Sequence, residues 1–447
     1  MNRLFGTDGV RGIVGKELTK ELAYKLGVAG ARVLTKNKDC VPKILIGCDT
    51  RESCDMLMSA LVAGIKKEGA NPVILGVIPT PGVAVLTRLY NADAAVMISA
   101  SHNPYEFNGI KFFDGKGYKL PDDVEDEIES VVISLGGGVE INEPKEERYD
   151  RASRDYINYL KGTTRVDFSG LSVVLDCANG ASSEFAPIVF RELGAKVTVI
   201  NDKPDGTNIN KDCGSTHIEA LKREVLARKA DIGFAFDGDA DRVLAVDEKG
   251  QMIDGDMILA VIGNHMKDNN ILNNNTIVVT IMSNMGFDVM AKREGIDVVK
   301  TKVGDRYVLE EMLKNGYEIG GEQSGHVILL KYNTTGDGML TAIKFLEVLS
   351  KENKKASELS SVMEVYPQVL KNARVNNENK NKYLTDEVIK NVCEEVKGEL
   401  RENGRLIIRP SGTEPLIRVM IEGKDKQYIE QKASMLAGII EERLYCF

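Results

Sequence analysis

The chain has 447 residues, which is too long for one hydrophobic core and predicts roughly three or four domains. Hydrophobic residues make up 43% and charged residues 28%, a globular composition that argues against a disordered chain or a membrane protein. The formal net charge of -9 argues against a general nucleic-acid or anionic-membrane binder, because such partners attract a broad basic surface.

The cysteines and the first residues indicate where the protein works. Seven cysteines form no C-x-x-C pair, so neither a disulfide framework nor a zinc site is indicated. The first residues lack the apolar segment of a secretory signal, and no apolar run reaches membrane-spanning length. The sequence therefore predicts a cytoplasmic protein.

Short runs rich in Val and Ile alternate with longer amphipathic segments through most of the chain, which is typical of parallel α/β units. The representative predicted strands, in chain order, are Lys43–Gly47, Val73–Val77, Ala94–Ile98, Ser172–Asp176, Lys196–Ile200, Asp231–Phe236, Thr276–Ile281, Asp297–Thr301 and Tyr317–Ile319. Helices are predicted among them at Ser53–Lys67, Ile218–Lys229 and Arg306–Lys314.

Polar or glycine-rich breaks divide the chain into four predicted domains. Their ranges are 1–150, 151–253, 254–365 and 366–447. The first three repeat one α/β architecture with mixed, mostly parallel sheets. The last is α+β, with strands predicted at Leu370–Val375, Arg405–Arg409 and Leu416–Ile421 and helices at Thr385–Glu399 and Tyr428–Leu444.

In each of the first three domains an unusual polar loop follows a strand. These loops are Ser99–Pro104, Asp237–Arg242 and Gly321–His326. Open parallel sheets bind ligands beyond the carboxyl ends of their strands. If the three domains surround a common centre, we expect the three loops to face one another.

The second loop carries three carboxylates at every second position, Asp237, Asp239 and Asp241, after an apolar strand. Carboxylate oxygens suit a hard cation, and Mg²⁺ keeps positions open for phosphate or water. A solvated acidic turn is the alternative that the spacing leaves open. An EF-hand is disfavoured because no glutamate stands at the twelfth position.

The first loop places Ser101 beside His102, with Lys111 ten residues on. A serine there could act as a nucleophile with acid, base and phosphate-stabilising groups nearby. The alternative is a polar turn that ends at Asn103-Pro104.

Three further segments carry groups that bind anions or sugars. The run Arg409–Pro415, followed by Arg418, offers arginines, hydroxyls and glycine-exposed amides that could wrap a phosphate, although a merely polar hairpin is the alternative. Gly321–His326 offers groups that read sugar hydroxyls. The N-terminal run Phe5–Gly12 is either a flexible arm or a loop that delivers Arg11 to a phosphate.

Together and in this order, these segments resemble the α-D-phosphohexomutase family, whose members carry F-G-T-x-G-x-R-G, S-H-N-P, D-G-D-x-D-R, G-E-x-S-G-H and R-x-S-G-T-E-P. The resemblance extends from Phe5 to Arg418 and implies four domains around a central cleft. It implies that Ser101 carries a phosphoryl group and that one Mg²⁺ per active site is held by Ser101, Asp237, Asp239 and Asp241. The groups implied around the phosphoserine are Arg11, His102, Lys111 and Arg242. The groups implied to bind substrate are Glu322, Ser324, His326, Arg409, Ser411, Gly412, Thr413 and Arg418.

The resemblance implies an isomerase that moves a phosphoryl group between two sugar oxygens through a 1,6-bisphosphate, with glucosamine or glucose 1,6-bisphosphate as activator. Within this resemblance, Phe5–Gly12, Gly321–His326 with its Gln323, and Thr334–Gly338 look like the members that act on glucosamine 6-phosphate, on the route to UDP-N-acetylglucosamine and peptidoglycan precursors. Mutases of mannose and glucose phosphates are the alternative. The resemblance leaves open whether Lys111 or His102 exchanges the hydroxyl proton.

The expected partner is a small phosphosugar, with neither nucleic acid nor membrane, and the sequence leaves a homodimer open. Two rival functions are a phosphatase that uses the same serine and metal, and a sugar-phosphate sensor without catalysis. An ATP-dependent kinase is disfavoured because the chain lacks G-x-x-x-x-G-K-[ST].

Overall fold

The computed structural model describes residues 3–6, 8–36, 40–136, 149–411 and 414–445. The chain divides into two compact units. The first comprises the residues up to Met282 together with Glu294–Val362, and the second comprises Ser283–Arg293 together with the residues from Met363 onward. Within the described ranges, no helix combines the length and the apolar character that crossing a bilayer requires.

The first unit contains three sheets, of which sheet 1 lies nearest the N-terminus. Its strands are β1 (Val10–Ile13), β2 (Lys43–Cys48), β3 (Asn71–Val77), β4 (Ala94–Ile98) and β5 (Phe107–Asp114). The helices of this region are α1 (Lys20–Leu34), α2 (Cys54–Lys67), α3 (Thr80–Leu89) and α4 (Asp122–Ser134). The strand order is β1-β5-β4-β2-β3, with β2 parallel to β3 and β4, and β5 antiparallel to β4 and β1. Every residue of β4 is buried, as expected for a strand covered on both faces.

Sheet 2 repeats this arrangement. Its strands are β6 (Ser172–Asp176), β7 (Lys196–Ile200), β8 (Ile232–Phe236), β9 (Val243–Asp247) and β10 (Met252–Ile253), and its helices are α5 (Ala152–Gly162), α6 (Ser182–Glu192) and α7 (Glu219–Arg228). The order is β10-β9-β8-β6-β7. Strand β6 is parallel to β7 and β8, whereas β9 is antiparallel to β8 and β10.

Sheet 3 has the order β12-β11-β13-β14. Its strands are β11 (Thr276–Thr280), β12 (Asp297–Thr301), β13 (Ile319–Gly321) and β14 (Val327–Leu329). The helices of this stretch of sequence are α8 (Gly255–Asp268), α9 (Met285–Glu294), α10 (Asp305–Asn315), α11 (Gly338–Glu352) and α12 (Ala356–Ser360). Again two parallel pairs are followed by one antiparallel pair, β13 with β14. The predicted repetition of one architecture is therefore confirmed.

The second unit contains sheet 4, which is entirely antiparallel. Its strands are β15 (Gln368–Arg374), β16 (Gly404–Pro410) and β17 (Leu416–Gly423), in the order β15-β17-β16, and its helices are α13 (Glu387–Leu400) and α14 (Lys426–Leu444). The helices pack against the sheet around an apolar core. The predicted α+β class of this region is confirmed.

A buried polar cluster, formed by Glu422 and its partners, holds Ser283–Arg293 to the rest of the second unit. The fully buried Glu422 accepts hydrogen bonds from Met285 N at 3.1 Å and from Arg405 Nε. Asn284 exchanges two hydrogen bonds with the backbone of Tyr366, at 2.9 and 3.0 Å. The C-terminal unit therefore includes a segment from earlier in the chain. The hydrogen bond from Asn284 to Tyr366 joins residues about 80 positions apart.

Most predicted strands agree with the structure to within two residues, and four agree at both ends: Ala94–Ile98, Ser172–Asp176, Lys196–Ile200 and Asp297–Thr301. The prediction of Tyr317–Ile319 was wrong, because β13 is Ile319–Gly321. The glycine pair looked like the start of a loop. A side chain at Gly320 would collide with Met312 and Val308, so this position of the strand requires glycine.

Candidate active site

Three loops of the first unit occupy the same position in their sheets, each joining two antiparallel strands. Loop A (residues 99–106) joins β4 to β5, loop B (237–242) joins β8 to β9, and loop C (322–326) joins β13 to β14. Val243, the first residue of β9 after loop B, donates its N–H to Gly325 O of loop C at 3.1 Å. The expectation that the three polar loops face one another is confirmed by the contacts described below.

Ser101 lies at the centre of this arrangement. Its side-chain hydroxyl donates to Asp237 Oδ2 at 2.6 Å, and the residue is 1% exposed. Its backbone φ of 53° falls in the left-handed region, which is uncommon for residues other than glycine and is often found at functional sites. Gly238 is required here because a Cβ at that position would lie 2.6 Å from Ser101 O.

Ser99, the other serine of the loop, has a different role. Its hydroxyl donates to Asp49 Oδ2 at 2.6 Å and accepts from Ser101 N at 2.9 Å. Both of these bonds are internal to sheet 1 and its loops, and neither reaches the aspartates of loop B. Ser99 therefore orients the backbone of Ser101.

Asp237, Asp239 and Asp241 are buried, and one carboxylate oxygen from each lies within 4.8 Å of the others. Oδ1 of Asp239 and Oδ1 of Asp241 are buried and make no hydrogen bond. Buried carboxylate oxygens without hydrogen-bond partners, in a cluster of three carboxylates, are a poor arrangement without a cation. The donor set therefore fits a hard divalent metal ion, for which Ser101 Oγ is adjacent. Within the described residues, this is the one cluster of three or more acidic, histidine or cysteine side chains with such spacing.

Asp237 and Asp241 have pKa values shifted in opposite directions, although they share one buried site. Burial raises the pKa of Asp237 well above its usual value, and the negative charges of Asp241 and Asp239 raise it further. Burial also opposes ionisation of Asp241, but His326 and Lys111 outweigh it and leave the pKa of Asp241 lowered. A bound cation would favour the ionised form of all three.

Cations surround the triad. Lys111 Nζ is 2.8 Å from Asp239 Oδ2 and 2.9 Å from Asp8 Oδ2. Burial lowers the pKa of Lys111, but these carboxylates outweigh burial and raise it, so Lys111 is charged. Arg11 pairs with Asp8 and also donates to Asn103 Oδ1 of loop A. The predicted cations Arg11, Lys111 and Arg242 are all brought to the site.

His102 is held by Arg242, whose Nη1 lies 3.2 Å from His102 Nδ1. Because Arg242 can only donate, Nδ1 of His102 is the unprotonated nitrogen. Burial together with Arg242 and Arg11 lowers the pKa of His102 to about 4. His102 therefore does not supply a positive charge at neutral pH.

A series of ion pairs extends from the triad towards loop C through Asp8, Lys119 and Asp305. Lys119 Nζ lies 2.7 Å from Asp8 Oδ1 and 2.5 Å from Asp305 Oδ2. Asp305 Oδ2 is 3.5 Å from His326 Nε2, and His326 Nδ1 is 3.6 Å from Asp241 Oδ2. We call this sequence of groups, from Lys111 through Asp8, Lys119 and Asp305 to His326, the charge chain. Its two ends meet different aspartates of the triad.

Loop C presents Glu322, Ser324 and His326 in different environments. Glu322 is half-buried and accepts from Gly304 N at 3.1 Å, Ser324 is exposed, and His326 is buried beneath Gly336. Gln323 has a structural contact: its amide donates to Asp254 Oδ2 at 3.1 Å. Asp254 is the N-cap of α8, so the side chain of Gln323 fixes the base of loop C.

In the second unit, Arg409 and Arg418 are directly opposite each other on β16 and β17. Burial and the neighbouring Arg418 lower the pKa of Arg409, which is the signature of like charges without a full set of counter-charges. Arg418 contacts Glu414 at 3.2 Å, and Ser411 is buried. Gly412 and Thr413 lie outside the described residues. The two arginines form a candidate anion site.

Sequence reasoning missed several residues that hold the site together. Asp8 was inside a recognised motif but was not singled out, and its signal was a carboxylate beside Arg11 in a glycine-rich run. Arg51, Asn210, Lys119 and Asp305 had no local signal. Each acts on a loop that is distant in sequence, and only the folded arrangement reveals the contact.

Family comparisons give the class of enzyme to which these loops and sheets belong. Four phosphoglucomutase/phosphomannomutase domains match consecutive parts of the chain: alpha/beta/alpha domain I at residues 2–135, domain II at 154–250, domain III at 254–366 and the C-terminal domain at 370–439. The chain belongs to this family of phosphohexomutases, as its motifs predicted. The predicted domain ranges stay predictions.

The curated relatives are more specific. A phosphoglucosamine mutase of Acetivibrio thermocellus is 61% identical over 456 residues, which cover 99% of this chain and all of the relative. A phosphoglucosamine mutase of Ruminiclostridium cellulolyticum is 59% identical over 450 residues with the same coverage.

Solved structures share the fold over nearly the whole chain. A phosphoglucomutase/phosphomannomutase family protein from Burkholderia thailandensis has a TM-score of 0.82 at 22% identity, covering 99% of this chain and 98% of that chain. The N-acetylphosphoglucosamine mutase of Aspergillus fumigatus, in complex with GlcNAc-6P and magnesium, has a TM-score of 0.66 at 16% identity, covering 98% and 95%.

Proposed function

We propose that this protein is a phosphoglucosamine mutase, which interconverts glucosamine 6-phosphate and glucosamine 1-phosphate through phospho-Ser101 and a bound 1,6-bisphosphate. The observation that carries the proposal is the hydroxyl of Ser101, 2.6 Å from Asp237 within a buried aspartate triad and beside cations. The names of full-length relatives at 59% and 61% identity support the amino sugar. Gln323 supports it only through the shape of loop C, because its side chain is bonded to Asp254.

The metal in this proposal is one Mg²⁺ per active site, held by Asp237, Asp239, Asp241 and an oxygen on Ser101. The orphaned Oδ1 atoms of Asp239 and Asp241 support this assignment. When bound, the ion would polarise the phosphoryl group as a Lewis acid. Asp237 would release its hydrogen bond with Ser101 once the serine is phosphorylated.

The protein's own cations balance the charge of the phosphoryl group. Three aspartates, a near-dianionic phosphoryl group and Mg²⁺ sum to about -3 before substrate arrives. Lys111, Arg11 and Arg242 supply three positive charges at the site. Asp8 neutralises part of this charge by pairing with Arg11 and Lys111. This arrangement would stabilise the oxygens that carry charge during transfer.

The two candidates for proton exchange differ in what they can do. Lys111 is held charged, so it can donate a proton or a hydrogen bond to an oxygen of the substrate. His102 is neutral and presents an unprotonated Nδ1, 3.5 Å from Ser101 Oγ. Nδ1 of His102 also accepts from Arg242 Nη1 at 3.2 Å and its pKa is low, so His102 is a weak base. Lys111 is the group equipped to donate a proton to an oxygen.

Other groups would bind the parts of the substrate that do not react. Glu322, Ser324 and His326 would contact sugar hydroxyls. Arg409, Ser411, Gly412, Thr413 and Arg418 would bind the non-reacting phosphate. The bound bisphosphate would turn around between two transfers, with glucosamine or glucose 1,6-bisphosphate loading any unphosphorylated enzyme.

We place the enzyme in the cytoplasm, on the route to UDP-N-acetylglucosamine and peptidoglycan precursors. Its six described cysteines are free, and five of them are buried, which suits a reducing compartment. The partner is a small phosphosugar, without nucleic acid or membrane. A homodimer is compatible with this proposal, and a measurement of the protein's mass in solution tests it directly.

A coupled assay tests the substrate. The enzyme is given glucosamine, glucose or mannose 6-phosphate in separate reactions with Mg²⁺ and the matching 1,6-bisphosphate, and the 1-phosphate is measured. We expect a higher kcat/KM for glucosamine 6-phosphate. A preference for glucose or mannose would replace the proposal with a phosphoglucomutase or phosphomannomutase.

The Ser101→Ala variant tests the reaction class. It should lose turnover completely while still binding the phosphosugar, measured by calorimetry. Inorganic phosphate is measured in parallel for the wild type, because a phosphatase would release it without a bisphosphate activator. Substantial mutase activity in Ser101→Ala would contradict the assignment of the phosphoserine.

A further inference from the structure

Three backbone carbonyls of loop A are gathered by two side chains from outside the loop. Arg51 Nη2 donates to Ser101 O at 3.0 Å and to Asn103 O at 2.9 Å, and Arg51 Nη1 donates to Pro104 O at 2.6 Å. Asn210 Nδ2 donates to the same two carbonyls, Ser101 O at 2.9 Å and Asn103 O at 3.2 Å. Two carbonyls are thus each held by two donors.

Arg51 is itself rigidly placed. It is 2% exposed, and its Nε donates to Asp49 Oδ2 at 2.9 Å, with both side chains fully buried. The guanidinium therefore has a carboxylate on one side and three carbonyls on the other. A planar fork with fixed donors suits this task, and a lysine could not satisfy four acceptors at these positions.

Asn210 approaches the loop from the region of sheet 2. It is 7% exposed and has a φ of 59°, which asparagine tolerates better than most residues. The amide nitrogen of Asn210 would lie only 2.8 Å from a Cβ on Gly238, so the Asn210 side chain lies between loop A and loop B. Asn210 therefore links the backbone of Ser101 to the loop that carries the aspartate triad.

We propose that Arg51 and Asn210 are positioning residues for phosphoryl transfer. They do not touch the reacting atoms. They hold Ser101 in its left-handed conformation, with its Oγ beside Asp237, so that a phosphoryl group on Oγ would be presented to the incoming hydroxyl in a fixed orientation. This inference rests on the proposed mutase function.

The reaction explains why such a device is needed. The phosphoserine donates to one sugar oxygen and accepts from another, so the same loop geometry must serve both transfers. A displacement of about 1 Å in a reacting group can reduce a rate by about 100-fold. A backbone held by five donated hydrogen bonds limits such displacements, whereas a free loop with a strained φ would relax.

The test uses Asn210→Gly, which removes the amide while keeping a residue that accepts positive φ. Asn353→Gly is the matched control, because Asn353 also has a positive φ of 50° but is exposed at the end of α11. Arg51→Lys is the second variant, which retains the charge facing Asp49. For each, kcat and KM for glucosamine 6-phosphate, inorganic phosphate released per turnover, and the ³¹P linewidth of phospho-Ser101 are measured on folded protein.

We expect Asn210→Gly to lower kcat by about 10- to 100-fold with KM changed less than about threefold. Phosphate release per turnover should rise and the phosphoserine signal should broaden, while Asn353→Gly behaves as wild type. An Asn210→Gly variant with wild-type kcat and phosphate release would overturn the proposal. A general structural role would instead lower the folded fraction and leave kcat per folded molecule and the linewidth unchanged, and that outcome also overturns it. A wild type without mutase activity would reject the proposed function, so the two failures are distinguishable.

Discussion

Lys119 provides the sharpest stability prediction, because its ammonium joins two carboxylates from different parts of the first unit. In the Lys119→Met variant, Asp8 and Asp305 lose partners at 2.7 and 2.5 Å. The exposed fractions of the three side chains are 12% for Lys119, 18% for Asp8 and 16% for Asp305. Water can therefore compensate only in part for the missing charge.

The expected loss follows from this burial. Removing one partner of a buried ion pair typically costs about 3–5 kcal/mol. Asp8 keeps Arg11 and Lys111, so we expect about 2–4 kcal/mol for Lys119→Met. Burial would raise the pKa of Asp305, but Lys119 and His326 outweigh it and leave the pKa lowered. Without Lys119 that pKa should rise.

Scanning calorimetry measures the loss of stability as a lower unfolding temperature and a lower free energy of unfolding. Lys36→Met is the matched control, because Lys36 pairs with Glu127 at 2.8 Å on the surface, where the side chains are 56% and 46% exposed. That pair should contribute less than about 1 kcal/mol. Adding Asp305→Asn to Lys119→Met should restore part of the loss, because it removes an unpaired charge. If Lys119→Met is no less stable than Lys36→Met, the reasoning about the charge chain is refuted.

Three other predictions concern Ser99, the pH dependence of stability at His102, and substrate affinity at Arg409. Ser99→Ala should keep measurable mutase activity and lose about 1–3 kcal/mol of stability, because it leaves Ser101 N without its acceptor; complete inactivity in folded protein would contradict the role given to Ser99. The pKa of His102 is about 4 in the folded protein and about 6.5 when unfolded, so the unfolded chain binds more protons between these values. This contribution to stability should be complete above about pH 6.5 and lost as the pH falls towards 4, so the Tm of His102→Gln should fall less steeply there than that of unphosphorylated wild type. Arg409→Ala should raise KM for the phosphosugar at least about tenfold with a smaller change in kcat, and steady-state kinetics with an unchanged KM would refute an anion site at Arg409 and Arg418.

The sequence predicts the fold well because its strands are apolar runs with clear polar ends. Ala94–Ile98 is buried throughout, and its boundaries follow directly from hydrophobicity. Strand β13 failed this test because its two glycines carry no hydrophobic signal, and the need for glycine at Gly320 comes from Met312 and Val308, which a side chain there would meet.

The candidate site divides in a similar way. Ser101 and the aspartate triad were predicted because the reacting groups occur within short motifs. The protonation of His102 could not be predicted, because it depends on Arg242, which is 140 residues away in sequence. Gln323 was noticed as a marker of substrate type, and only its contact with Asp254 reveals that the side chain supports the loop.

The buried cluster around Glu422 matters to anyone who divides this protein into pieces. A fragment that starts at Tyr366, as the sequence-based boundary suggests, would lack Ser283 and Asn284. Glu422 would lose the donor Met285 N, the guanidinium of Arg405 would lose the carbonyl of Ser283, and both groups would be uncovered. The C-terminal unit is therefore discontinuous in sequence. A fragment that keeps these contacts would need Ser283–Arg293 joined to the residues from Met363 onward.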